Sequence, residues 1–280
     1  MKRHFGKTIS TLLSVFALSV VSSGEALVTT NVFETWESQA VQNPFTGTGD
    51  VTWTGDLSGY QITTANWPTG PAFAGSRSLR SNAAVAVTNT VITAFAFNPS
   101  RPTTWSVFVS GNIGDGTGFT SGRGFDVVLV SDSSNISSLE AGTINGYRLR
   151  LAGNTTNTID NLILQKATGS GWSTINQTPV GIGANVTQGW NLEIFRESNG
   201  TWTYGFANGA IGTPVPRDSA VVDTAVSSGS QAGMSWFSPA TSANIFGFDN
   251  FLITSVPEMS PAMAISLSAV LLFASRRFRS

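Results

Sequence analysis

A chain of 280 residues with no cysteine, a single histidine and 15 basic against 16 acidic side chains excludes whole classes of chemistry at once. The histidine is His4, so nothing beyond the N-terminus can build a Ser-His-Asp or Cys-His device or a zinc site of the usual type, and disulfides play no part. Residues 27–255 carry nine basic and 14 acidic side chains, a net charge of −5 that argues against nucleic acid and against anionic membrane surfaces.

The N-terminus opens with Lys2, Arg3 and Lys7. An apolar run from Ile9 to Val21 follows, then a polar stretch that ends at Ala26. Small Gly24 and Ala26 occupy the −3 and −1 positions of a cut after Ala26, the layout of a secretory signal peptide over residues 1–26. Residues 27–255 then suit one domain with a sizeable core. Eight tryptophans and many Val, Ile, Leu and Phe supply the apolar area to fold it.

Within that domain, runs of four to eight residues alternate with period two between Gly, Asn, Ser or Pro boundaries, which predicts strands. In chain order they are Val32–Glu37, Val51–Gly55, Tyr60–Thr64, Ala84–Thr88, Val91–Phe97, Trp105–Ser110 and Phe125–Val130. Tyr147–Leu151, Leu162–Lys166, Trp190–Glu197, Thr201–Phe206, Gly233–Phe237 and Ile245–Thr254 follow. Trp190, Leu192 and Ile194 share one face, as do Trp202, Tyr204 and Phe206. Asn199-Gly200 between these two runs predicts a tight hairpin turn with both residues at positive φ. Thr213–Arg217, with Pro214 and Pro216, reads as a loop or edge. No stretch of 12 residues carries a helical stripe, so the fold expected is an all-β, antiparallel two-sheet β-sandwich.

Three constellations bear on chemistry. Two-carboxylate glycan hydrolysis needs carboxyls about 5–9.5 Å apart. Glu193 and Glu197 would share a strand face about 13 Å apart, a solvated face rather than a pair, and Glu34 and Glu37 would face opposite ways. Among the tryptophans, Trp105, Trp190, Trp202 and Trp236 read as core. Trp67, in a Thr/Asn/Gly/Pro loop, and Trp172, between Gly171 and Ser173 at a turn, are the candidates for stacking on sugar rings. Asp126, Asp132, Asp249 and Asn250 are oxygen ligands of the kind calcium takes, although no segment has calcium-loop spacing, and Asp132 and Asn135 equally suit turn capping. No catalytic residue and no cofactor other than calcium is expected. Five Asn-x-Ser/Thr sequons, at Asn135, Asn154, Asn176, Asn185 and Asn199, follow from composition.

The chain closes on Val256-Pro257-Glu258-Met259-Ser260, an apolar run over residues 261–274, and a basic tail over 275–280 with Arg276, Arg277 and Arg279. As a helix the apolar run would span about 21 Å, short of a bilayer core of about 30 Å. The arginines would stay on the cytoplasmic side.

This tail, residues 256–280, resembles the PEP-CTERM sorting signal of Gram-negative bacteria, with Met259 where the usual motif has a second proline. The resemblance implies a transient inner-membrane anchor through the C-terminal hydrophobic helix and processing near Pro257-Glu258 by an exosortase, a membrane-embedded transpeptidase. It also implies delivery to the cell surface or extracellular matrix, in bacteria that make exopolysaccharide. Phe248-Asp249-Asn250-Phe251-Leu252-Ile253-Thr254 resembles the last strand of concanavalin-like (laminin-G-like) jelly rolls, which implies that fold for the domain. The resulting expectation is an exported, non-catalytic structural or glycan-binding protein. A carboxylate-dependent polysaccharide-active enzyme and a protein-binding adhesin are the alternatives.

Overall fold

The computed structural model describes residues 28–64, 77–82, 88–111, 124–152, 160–180, 189–209, 212–217, 219–238 and 246–256. The segment expected to be a signal peptide (1–26), the tail beyond Val256, Trp67 and most of the strand expected at 84–88 lie outside the described residues. Residues Thr30–Ser255 form one compact unit.

In chain order the first strands are β1 (Thr29–Glu34), β2 (Trp53–Gly55), β3 (Tyr60–Thr64), β4 (Arg77–Ser81), β5 (Thr88–Phe97), β6 (Thr103–Gly111) and β7 (Gly124–Ser131). A short helix, α1 (Ile136–Ala141), precedes β8 (Asn145–Ala152), β9 (Asp160–Thr168), β10 (Trp172–Val180), β11 (Gly189–Arg196) and β12 (Thr201–Asn208). The last three are β13 (Ser219–Val222), β14 (Gly229–Phe237) and β15 (Phe246–Ser255). They form two sheets. An eight-stranded sheet runs β13-β12-β11-β6-β15-β4-β3, with β1 also on β15, and a seven-stranded sheet runs β10-β9-β8-β7-β14-β5-β2. The two-sheet β-sandwich expected from the alternation is therefore observed.

The core lies between the sheets and is rich in aromatic rings. Six of the eight tryptophans, Trp36, Trp53, Trp105, Trp190, Trp202 and Trp236, are wholly buried. Trp105 stacks on Trp202 at 5.6 Å, and Tyr147 meets Trp202 at 4.6 Å. A buried indole or phenol needs a hydrogen-bond partner, and several of these bonds tie one layer to the other. Trp105 Nε1 donates to the Leu129 carbonyl at 3.0 Å, Trp236 Nε1 to Gly59 at 3.1 Å, and the Tyr60 hydroxyl to Asn89 at 2.9 Å.

The hairpin between β11 and β12 forms as expected, but its turn differs. Gly200 has φ 88, whereas Asn199 is not among the described non-glycine residues at positive φ. Glu197 N donates to Thr201 O at 2.8 Å and Gly200 N to Glu197 O at 3.0 Å, which closes a three-residue loop. The Asn199 side-chain oxygen accepts from Thr201 N at 2.7 Å and holds the loop in that form. One left-handed residue suffices in a loop of this length, and glycine supplies it.

Helix α1 was not expected. Asn135 caps it by accepting from Ser138 N at 3.0 Å, and Gly142 ends it at φ 72. Its Leu139 and Ile136 cover Ile92 and Val128 on the outer face of the seven-stranded sheet.

Candidate functional site

The outer face of the eight-stranded sheet carries a groove of about 300 Å³. Its floor follows from strand alternation. Trp105, Val107 and Val109 of β6 point into the core, so Ser106 and Phe108 point outwards. On β11, Trp190, Leu192 and Ile194 take the core, which turns Asn191 and Glu193 outwards. The register aligns Asn191 with Phe108 and Glu193 with Ser106. On the other side of β6, Leu252 of β15 sits opposite Ser106. A bulge between Asp249 and Leu252 places Asn250 at φ 48, and Asn250 also lines the groove. Phe33 of β1 completes this side and is 47% exposed, high for so large an apolar residue.

The remaining wall is the segment 212–215. Two contacts bring it there. The Asn191 side-chain oxygen accepts from Gly212 N at 2.9 Å. Farther along, Pro216 crosses directly over Gly205, where a Cβ would come within 1.9 Å of the Pro216 carbonyl oxygen. Gly205 pairs with Glu193 in the β11–β12 ladder. The crossing therefore delivers Arg217 to Glu193, with Arg217 Nε 3.2 Å from Glu193 Oε1. The Arg217 guanidinium lies over the Phe195 ring at 4.9 Å. The groove thus combines an exposed aromatic ring, carboxamides, hydroxyls and one carboxylate. That set suits a ligand with an apolar face and many hydroxyls.

Of the described residues singled out in the sequence, Asn250 and Glu193 line the groove, whereas Trp172, Asp126, Asp132 and Asp249 do not. Trp172 is not at a turn but opens β10. The glycines at 169 and 171 gave it the look of a turn, yet it pairs with Ala167 of β9. It is half-buried, its indole N–H donates to Leu139 O at 2.8 Å, and the Arg148 guanidinium covers its ring at 4.1 Å. A ring covered in this way is a poor sugar platform.

The calcium candidates do not come together. Asp126 is buried and clasped by Arg148 at 3.1 Å and by Arg150 at 2.7 and 2.8 Å. Burial pushes the Arg148 guanidinium down to about 10, against the pull of Asp126. At Arg150 burial acts the same way, but hydrogen bonding and attraction to Asp126 more than offset it and raise its value. Asp132 accepts from Asn145 N and Nδ2 at 2.9 and 2.7 Å, a bond across the β7–β8 connection rather than a cap on its own turn. Asp249 is wholly buried and accepts from Asn250 N at 2.7 Å. Among the described residues no three His, Cys, Asp or Glu side chains cluster as a metal site.

The other carboxylates among the described residues do not line the groove. Glu34 is buried against Trp36 and Trp53 and accepts from Trp36 N at 2.7 Å and Trp53 Nε1 at 3.3 Å. Burial raises its pKa despite those donors. Asp223 joins the two sheets through the Tyr147 hydroxyl and Lys166. Burial there works against the charge, but hydrogen bonds from Lys166 and Tyr147 hold its pKa below the usual carboxylate value.

No family model matches this chain, and no curated protein matches it. Solved structures do. Peanut lectin, in complex with a nine-residue peptide, superposes with a TM-score of 0.51 at 12% identity, covering 82% of this chain and 99% of the lectin. A protein of unknown function from Shewanella oneidensis MR-1 gives 0.49 at 8% identity, covering 87% and 95%. The globular domain of T. cruzi calreticulin gives 0.47 at 11% identity, covering 90% and 99%. At these identities the likeness is one of fold, and the architecture is that of a lectin-like β-sandwich.

The groove was missed in the sequence, although one signal was present. Phe108 is a large apolar residue between Ser106 and Ser110 on the solvent side of β6.

Proposed function

We propose that this chain is an exported β-sandwich protein that binds glycan without cleaving it, in the groove on the outer face of the eight-stranded sheet. The observation that carries the reading is the groove itself. Half-exposed Phe33 lines it together with Asn191, Asn250 and Glu193, and an aromatic ring with amides and an acid in one groove suits a sugar ring. The likeness to a lectin supports the class. Glu193 is the one carboxylate among the described groove residues, and Asp249 nearby is wholly buried. Among the described groove residues, Glu193 has no second carboxylate to pair with for hydrolysis.

The tail at 256–280 gives the destination. An exosortase-type enzyme would act near Pro257-Glu258 after transient insertion of the hydrophobic segment. The domain would then reach the cell surface or matrix, where exopolysaccharide is the available ligand. Intact mass of protein extracted from the native surface should show both ends removed, and a mass retaining Arg276–Ser280 would sink the sorting reading.

A glycan array with the purified protein and its Phe33→Ala variant tests the binding. The variant should lose roughly threefold to tenfold in affinity, the worth of one aromatic contact. Absence of any glycan hit, or full affinity in Phe33→Ala, would remove the groove from consideration. Reducing-end release abolished by one Asp or Glu substitution would make the protein an enzyme.

A further inference from the structure

We infer that Glu193 restricts this groove to uncharged glycans, so that its ligands are neutral hexopyranose polymers and polyuronates are rejected. The inference rests on the glycan-binding reading above and adds the chemical class.

Among the described residues that line the groove, Glu193 is the only one with a formal charge. It is one-third exposed, so its charge reaches the ligand space. Its cation, Arg217, does not line the groove. Arg217 pairs with the acid, Nε 3.2 Å from Glu193 Oε1, and its guanidinium lies over the Phe195 ring at 4.9 Å. Of the two charges, only the negative one therefore lines the groove.

A neutral sugar profits from this arrangement. A carboxylate has several lone pairs, and Arg217 takes one direction, which leaves acceptor capacity for hydroxyl groups. Phe33 offers a flat apolar surface for the C–H face of the ring. A uronate would instead place its carboxylate against Glu193, in a domain whose net charge is already −5 over residues 27–255. Like charges set against each other are a common way to reject the wrong partner.

Glu193→Gln tests the assignment, because it keeps the shape and removes the charge. The same change deprives Arg217 of its partner and leaves a cation beside the groove. Binding of dextran, yeast mannan and laminarin would be compared with that of alginate and polygalacturonate at low ionic strength, with a thermal melt to establish that each variant is folded. The natural protein should prefer the neutral polymers by about tenfold or more. In Glu193→Gln that preference should shrink towards parity, and the gained polyuronate binding should weaken with salt. Adding Arg217→Ala to Glu193→Gln should remove only the salt-sensitive part of the gain, which comes from the freed cation, and the preference should stay below that of the natural protein. Equal binding of alginate and neutral glucan by the natural protein would overturn the inference and leave glycan binding standing. An unchanged preference in Glu193→Gln would do the same. Failure of the folded natural protein to hold either class of polymer would overturn glycan binding itself.

Discussion

Replacing Asp126 with alanine should cost about 3–5 kcal/mol of folding stability, mainly because of what is left behind. The Asp126 side chain is 3% exposed and meets two guanidiniums at 2.7–3.1 Å. The two arginines are not equivalent. Arg150 is 27% exposed along its side chain and can turn towards water, whereas Arg148 is 6% exposed and is pinned by Gln165 at 2.8 Å and by the Trp172 ring. Without Asp126, Arg148 is a buried cation with no counter-charge. Urea unfolding at neutral pH reads the loss, and the melting temperature should fall by roughly 6–20 °C, at about 2–4 °C per kcal/mol for a domain of this size. Arg150→Ala should cost only about 1 kcal/mol, as its exposure screens the pair. Asp126→Leu combined with Arg148→Met should recover most of the stability, because both the charge and its need for a partner are gone. A loss below about 1 kcal/mol in Asp126→Ala, or a double variant as unstable as the sum of its parts, would refute the reasoning. So would a calcium-dependent melting temperature that disappears in Asp126→Ala, since it would make Asp126 a calcium ligand.

Trp202→Ala should destabilise the domain by about 3–5 kcal/mol, because the ring is wholly buried between Trp105 and Tyr147. Urea midpoints check it, and a neutral result would take Trp202 out of the core. Glu34 predicts a pH dependence. Burial raises its folded value above that of the unfolded chain, so its contribution is fully present below the unfolded pKa, about 4.3, and is lost as pH rises through the raised value. The stability difference between the natural protein and Glu34→Gln should therefore move in favour of the variant from pH 4 to pH 7. A difference that stays constant across that range would refute the assignment.

What could be read in the sequence was whatever depends on alternation. In β6 and β11 every second residue is apolar or aromatic, and all those residues lie in the core. Trp105, Trp190, Trp202 and Trp236 are buried as expected for the same reason. What could not be read depends on which strands become neighbours. Arg148 and Arg150 visibly share a strand face, but only the β7–β8 register puts Asp126 opposite Arg150 and within reach of Arg148. Gly205 looks like a weak point in β12 until Pro216 is found lying across it. β10 escaped because an edge strand with one face in water is polar, and Trp172 at its start is flanked by turn-like glycines. The groove combines residues from β1, β6, β11, β15 and a loop, and no local pattern joins them.

The position of β15 fixes the order in which this sheet can be completed. β6 has β11 on one side and β15 on the other, and β4, with β3 beyond it, reaches β6 only through β15. β1, at the opposite end of the domain, also attaches to β15, and Asn31 Nδ2 donates to the Ser255 hydroxyl across 224 residues of chain. Until residues 246–255 have left the ribosome, three strands have no place to dock in this sheet and β6 keeps an open edge. Closure over such sequence distances is slow. The eight-stranded sheet therefore stays unfinished until its last strand has emerged.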